Sequence, residues 1–204
     1  MFGARPSPLD RGLDAFGVRR WKAARRHLED SAIEDQRPIG DYHLGLLYWR
    51  GLGGPRDEAA AIRCFRRAAE AGHAAAQTAL GAALSAGDDD ERAEAKDLFR
   101  NAAGAGDPEA MTRLADLSEP QVARDLLERA AETGHAPAML ELAARLMRVD
   151  PVEALGWLYA AAATSGADEA KTLAIALAKE MHASEIGAAQ KIGRMRAKRV
   201  RASL

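Results

Sequence analysis

The sequence predicts an all-α fold, a solenoid of stacked antiparallel helix pairs, and three observations predict it. A skeleton recurs four times: two alanines, a glycine three residues after the second, and an alanine four further on, as Ala68-Ala69…Gly72…Ala76, Ala102-Ala103…Gly106…Ala110, Ala130-Ala131…Gly134…Ala138 and Ala162-Ala163…Gly166…Ala170. The glycines are 34, 28 and 32 residues apart, the period of a helical-hairpin solenoid. Before each glycine runs a stripe at i, i+4, i+7 and i+11 (Ala61/Phe65/Ala68, Ala95/Phe99/Ala102, Ala123/Leu127/Ala130, Leu155/Tyr159/Ala162), one buried face of an α-helix. After it comes Ala-x-x-x-Leu-Gly/Ala, at Ala76–Gly81, Ala110–Ala115 and Ala138–Ala143, whose small residues let two helix axes approach to about 8 Å.

Each element follows from local chemistry. The opening, with Pro6 and Pro8, reads as a disordered lead-in over 1–10. Leu13-Asp14-Ala15-Phe16 and Trp21 to Ile33 form a cap hairpin over 12–34, which a solenoid needs to solvate its end. Repeat units then span about 39–72, 74–106, 108–134 and 136–166, and closing helices 169–195, within one domain over 11–195. Glycine ends the second helix of each unit because positive φ is cheap only without Cβ. Asp57, Asp88 to Asp90, Asp107-Pro108 and Asp150-Pro151 read as capped helix starts, Ser118-Glu119-Pro120-Gln121 as a capping box, and Ser184 as a further N-cap. Residues 196–204 read as a basic C-terminal tail.

Composition narrows the function. Of 204 residues 48% are hydrophobic but only 5% aromatic, so alanine-rich packing fills the interior. A net charge of −1 gives no global pull toward nucleic acid or anionic membrane, and a single cysteine excludes an intramolecular disulfide. The opening lacks a signal-peptide core and no apolar run is long enough to span a bilayer, so a cytoplasmic protein is expected; the Ala and Arg content fits a bacterial source.

The run Tyr42-His43-Leu44-Gly45-Leu46-Leu47-Tyr48-Trp49-Arg50-Gly51-Leu52-Gly53, continuing through Cys64-Phe65-Arg66-Arg67-Ala68-Ala69-Glu70-Ala71-Gly72, resembles the Sel-one-like repeat (SLR) family, relatives of the tetratricopeptide repeats. Cys64 stands where that family usually has Trp, and the Gly-x-Gly loop occurs in the first full unit alone. The resemblance spans roughly 12–195 and implies a right-handed α-solenoid that serves as a protein-interaction scaffold or adaptor, with the first helix of each hairpin lining a concave groove. The positions it places inward, and so the candidate partner contacts, are Ile39, Tyr42, Leu46, Trp49, Arg50, Thr78, Ser85, Leu140, Met147 and Arg148. Tyr, Trp and Arg are favoured binding anchors and they concentrate in the first full unit. The competing reading has Tyr42 and Trp49 packing on the N-terminal hairpin.

A second candidate surface is the basic C-terminus: Lys191, Arg194, Arg196, Lys198, Arg199 and Arg201, with no acid after Glu185. These cations either complement a helix C-terminus or contact an acidic partner or nucleic-acid phosphates; the missing aromatic interleaving favours the first. No catalytic constellation, metal site or cofactor motif emerges, so neither an enzyme nor a cofactor is expected. His73 and His135 occupy equivalent repeat positions and read as structural, His27, His43 and His182 are scattered, and Cys64 lies on the buried stripe as a small hydrophobe. The partner is a protein or peptide; a signalling regulator and a toxin inhibitor fit these residues equally.

Overall fold

The computed structural model describes residues 6–34 and 38–203. Among these are twelve helices: α1 (Pro8–Gly17), α2 (Trp21–Glu34), α3 (Pro38–Arg50), α4 (Glu58–Glu70), α5 (Ala74–Leu84), α6 (Asp89–Gly104), α7 (Pro108–Asp116), α8 (Pro120–Glu132), α9 (Ala136–Leu146), α10 (Pro151–Ser165), α11 (Asp168–Ala178) and α12 (Ala183–Ser203). No strand occurs among the described residues, and none of their helices is long and apolar enough to cross a membrane.

The four repeat glycines occupy matching corners. Gly72, Gly106, Gly134 and Gly166 have φ of 82°, 93°, 91° and 69°, at the ends of α4, α6, α8 and α10. The next helix follows at once, and its orphan N–H groups are capped by Asp107 Oδ1 on Ala110 N at 2.9 Å and by His73 Nδ1 on Ala76 N at 3.2 Å. Asp57, Asp88 and Asp150 cap α4, α6 and α10 as the sequence predicts.

Three local expectations are corrected. Residues 8–10 belong to α1, because Ser7 and Asp10 close a reciprocal capping box ahead of Pro8; Met1 to Arg5 lie outside the described residues. Ser118 does not cap α8: its hydroxyl donates back to the Leu114 carbonyl at 2.7 Å, and Glu119 takes the N-cap position without a side-chain bond. α12 begins at Ala183, ahead of Ser184, and the Glu185 carboxylate accepts from His182 N.

The contacts divide into two compact units, one ending at Ala105 and the other starting at Gly106. In the first, α1 pairs with α2, α3 with α4 and α5 with α6, while α2 meets α3 and α4 meets α5. Small residues set the spacing: a Cβ on Gly45 would fall 2.5 Å from the Phe65 ring, and one on Gly81 2.8 Å from Phe99, both rings buried. In the second unit α7 pairs with α8 and α9 with α10, but α11 and α12 do not form the closing pair that the sequence suggests. α12 packs along α10 instead and reaches α8. The cause is a close crossing, with Gly193 against the Gly156 carbonyl, flanked by Arg196 stacked 3.6 Å from the Trp157 ring centroid and paired with Glu153. Residues 196–203 are therefore helix, with Ala197 and Val200 buried, and not a tail.

Candidate functional site

The candidate contacts on α3 are organised by Phe65. Tyr42 and Trp49 are seven residues apart on one face of α3, and Gly45 lies between them. The Phe65 ring enters over Gly45, with the Tyr42 centroid 6.2 Å away on one side and the Trp49 centroid 6.5 Å on the other. Tyr42 also stacks on His73 at 4.9 Å, and the Arg56 guanidinium sits 5.5 Å from the Trp49 centroid. Both anchors are half-buried, as is Leu46, whereas Ile39 and Arg50 are exposed beside them.

The N-terminal hairpin packs elsewhere on α3. His43 meets Phe16 edge-on at 4.7 Å, and Tyr48 donates to Glu29 at 2.8 Å under the Arg25 guanidinium. Arg25 then reaches across to the Pro55 carbonyl at 3.1 Å, tying the Gly51–Arg56 loop to α2. Burial, with the Glu29 carboxylate next to it, raises the Tyr48 phenol above its ordinary pKa. So Tyr42 and Trp49 turn toward α4 and the start of α5, and it is Tyr48 and His43 that meet the hairpin.

A second feature missed by sequence reasoning is Asp41. Its carboxylate is 4% exposed and paired with Arg67, whose Nη2 also lies 3.7 Å from Cys64 Sγ. Burial pushes the Cys64 thiol up, so it is a protonated filler and not a nucleophile at neutral pH. The one available signal was an acid inside an otherwise apolar helix, which requires a buried partner.

The remaining candidates scatter. Thr78 is buried, its hydroxyl donating to the Ala74 carbonyl at 3.2 Å, and so it offers no contact surface. Ser85 is exposed but bonded to the Gly81 carbonyl at 2.7 Å. On α9 Leu140 is half-buried, and at its end Met147 is half-buried and Arg148 exposed, within the second unit. His135 lies 3.3 Å from the Glu109 carboxylate without hydrogen-bond geometry. Of the basic run, Arg196 is engaged by Trp157 and Glu153, Arg194 bonds the Gln190 carbonyl and Arg201 the Ala163 carbonyl at 2.9 Å, while Lys191, Lys198 and Arg199 are exposed. Among the described residues no cluster of three metal-ligating side chains gathers.

The Sel1 repeat family matches residues 38–73, 108–135 and 136–163. These are three of the four repeat units; the unit over 74–106 falls outside the match. Among solved structures, a protective antigen with an SLR fold from uropathogenic Escherichia coli superposes with a TM-score of 0.81 at 25% identity, over 87% of this chain and 41% of that one. The chain thus spans less than half the length of that antigen. A Sel1 repeat protein from Oxalobacter formigenes superposes with a TM-score of 0.74 at 22% identity, over 94% of this chain and 83% of that one. An immunity protein from Pseudomonas aeruginosa gives 0.62 at 18% identity, over 98% and 84%. No curated protein matches the chain.

Proposed function

Since the chain carries Sel1 repeats at three positions, in the helical-repeat fold of solved SLR proteins, we propose that it is a non-catalytic scaffold that captures a partner protein or peptide through α3. Sel1 repeat proteins are in general helical platforms for protein interaction. The observation that supports this site is the arrangement of Tyr42 and Trp49 about Phe65, with Ile39 42% exposed and Arg50 exposed at its border. Rigid aromatic side chains beside an exposed aliphatic and an arginine are the composition of a binding hot spot.

A pull-down from the native host, followed by mass spectrometry and titration of the purified partner, tests the reading. Tyr42→Ala with Trp49→Ala should abolish capture. Both side chains also pack on Phe65, so Ile39→Asp, at an exposed position, is the arm that separates contact from stability. Loss of a hot-spot side chain costs at least about 2 kcal/mol, roughly thirtyfold in affinity. Undiminished affinity of Ile39→Asp and Arg50→Glu for the same partner would remove α3 as the anchor.

A further inference from the structure

Among the described residues no second helix pairs with α11, although its sequence reads as the first helix of a hairpin. In the pairs before it, a small residue one position after the buried leucine receives the partner helix: Gly45 takes Phe65 and Gly81 takes Phe99, and the corresponding Ala115 and Ala143 are buried. The same register in α11 reads Ala170-x-x-x-Ala174-Ile175, so Ile175 holds that seat, and it is 61% exposed. The helix due to cover it, α12, is committed to α10 through the Gly156–Gly193 crossing and the Arg196–Trp157 stack. The α10 residue that shares a groove with Ile175 is not fully covered either. Tyr159 stands on α10 where Phe65, Phe99 and Leu127 stand in the other second helices; those three are buried, and Tyr159 is half-exposed.

Two grooves meet at Tyr159. One of about 510 Å³ lies between α10 and α11, with Ala162 and Ile175 as apolar lining and Lys171 and Lys179 beside them. The other, about 570 Å³, lies between α10 and α12 and is bordered by Arg194, Lys198 and Arg201. Among the described residues no Asp or Glu lines either groove. Lys171 is paired with Asp168 on its own helix, an acid that stands out in solvent.

We propose that this trough, floored by Tyr159 and walled by α11 and α12, docks an acidic amphipathic helix of a partner protein in the place that α12 leaves by packing on α10. The inference rests on the scaffold reading but sets a contact surface on helices other than α3. A helix fits because every preceding first helix packs a second one, and α3 and α5 do so in this register. Acidic flanks fit because cations border both sides of an apolar floor. Ile175 fills the notch that glycine leaves open for a phenyl ring in α3 and α5, so the occupant presents alanine or leucine there. The apolar floor also disfavours a phosphate backbone, which would engage the cations and leave Ile175 and Tyr159 against polar groups.

The full chain is titrated by fluorescence anisotropy with two labelled helical peptides of about 18 residues, long enough to cover α11. Both carry leucine at i, i+3, i+4 and i+7; one has glutamate at the flanking positions and the other lysine. The expected result is saturable binding of the glutamate peptide, at least about tenfold tighter than the lysine peptide. Ile175→Glu, and separately Lys179→Glu with Arg194→Glu, should each weaken it about tenfold or more without moving the thermal melt. No binding, equal binding of the two peptides, or binding that Ile175→Glu leaves intact and duplex DNA displaces would overturn the proposal. So would a concentration-dependent dimer in sedimentation that Ile175→Glu dissolves, since the occupant would then be a second copy. Ile39→Asp should leave peptide affinity unchanged, so failure here is distinct from failure of the α3 reading.

Discussion

Replacing Gly45 by alanine tests whether glycine at the hairpin crossing is a steric requirement. The added Cβ would lie 2.5, 2.6 and 3.2 Å from three carbons of the Phe65 ring. That ring is 2% exposed and held between Tyr42 and Trp49, so it has no free volume to turn into. Overpacking of this kind costs about 2 to 3 kcal/mol, against which the better helix propensity of alanine returns about 1 kcal/mol. The net loss is about 1 to 2 kcal/mol, a fall in Tm of roughly 2–8 °C for a chain of this size. Gly104→Ala is the matched control: nothing lies within 4 Å of its Cβ, so melting should rise slightly or stay put. Adding Phe65→Leu to Gly45→Ala should recover part of the loss, since the α7–α8 hairpin already combines Ala115 with Leu127. Thermal denaturation followed by circular dichroism reads all five proteins, the Phe65→Leu single variant among them. A Gly45→Ala protein as stable as wild type, or a double variant whose losses simply add, would refute the steric argument.

Arg67→Ala leaves the Asp41 carboxylate buried without its guanidinium; because Arg67 is half exposed and water can follow, the cost should be about 2 kcal/mol by urea denaturation, largely recovered on adding Asp41→Asn. Arg196→Ala removes both the stack on Trp157 and the pair with Glu153, and should cost about 2–4 kcal/mol with a shift in tryptophan emission as α12 loosens from α10. Cys64 should resist iodoacetamide in the folded protein at pH 8 and react promptly in denaturant. Its pKa is raised by burial, so the fold favours the neutral thiol: that contribution is complete below the unfolded thiol pKa and is lost as pH climbs through the raised value. Rapid native alkylation would show that the thiol is not buried.

Which parts of this molecule could be read from the chain depends on the range of the forces involved. Ser118 shows the limit even locally: the same hydroxyl can cap forward or bond back to Leu114, and the choice turns on the path into α8. α3 shows a second limit, since a helix with apolar residues on nearly every side carries no periodic record of which aromatic faces α2 and which faces α4. Tyr48 and Tyr42 were therefore indistinguishable until their partners, Glu29 and Phe65, were in place.

By itself the sequence determined the repeat grammar: positive-φ glycines at 72, 106, 134 and 166, aspartates at helix starts, and small residues where axes cross. Each of these is a requirement of a few neighbouring residues on backbone geometry, so it is written in adjacent letters. Tertiary structure alone decided where α12 goes, because its attachment joins Arg196 to Glu153, 43 residues earlier, and seats Gly193 on Gly156. Beside that attachment Ile175 is exposed and Tyr159 half-exposed, and no local preference of either residue foretells it.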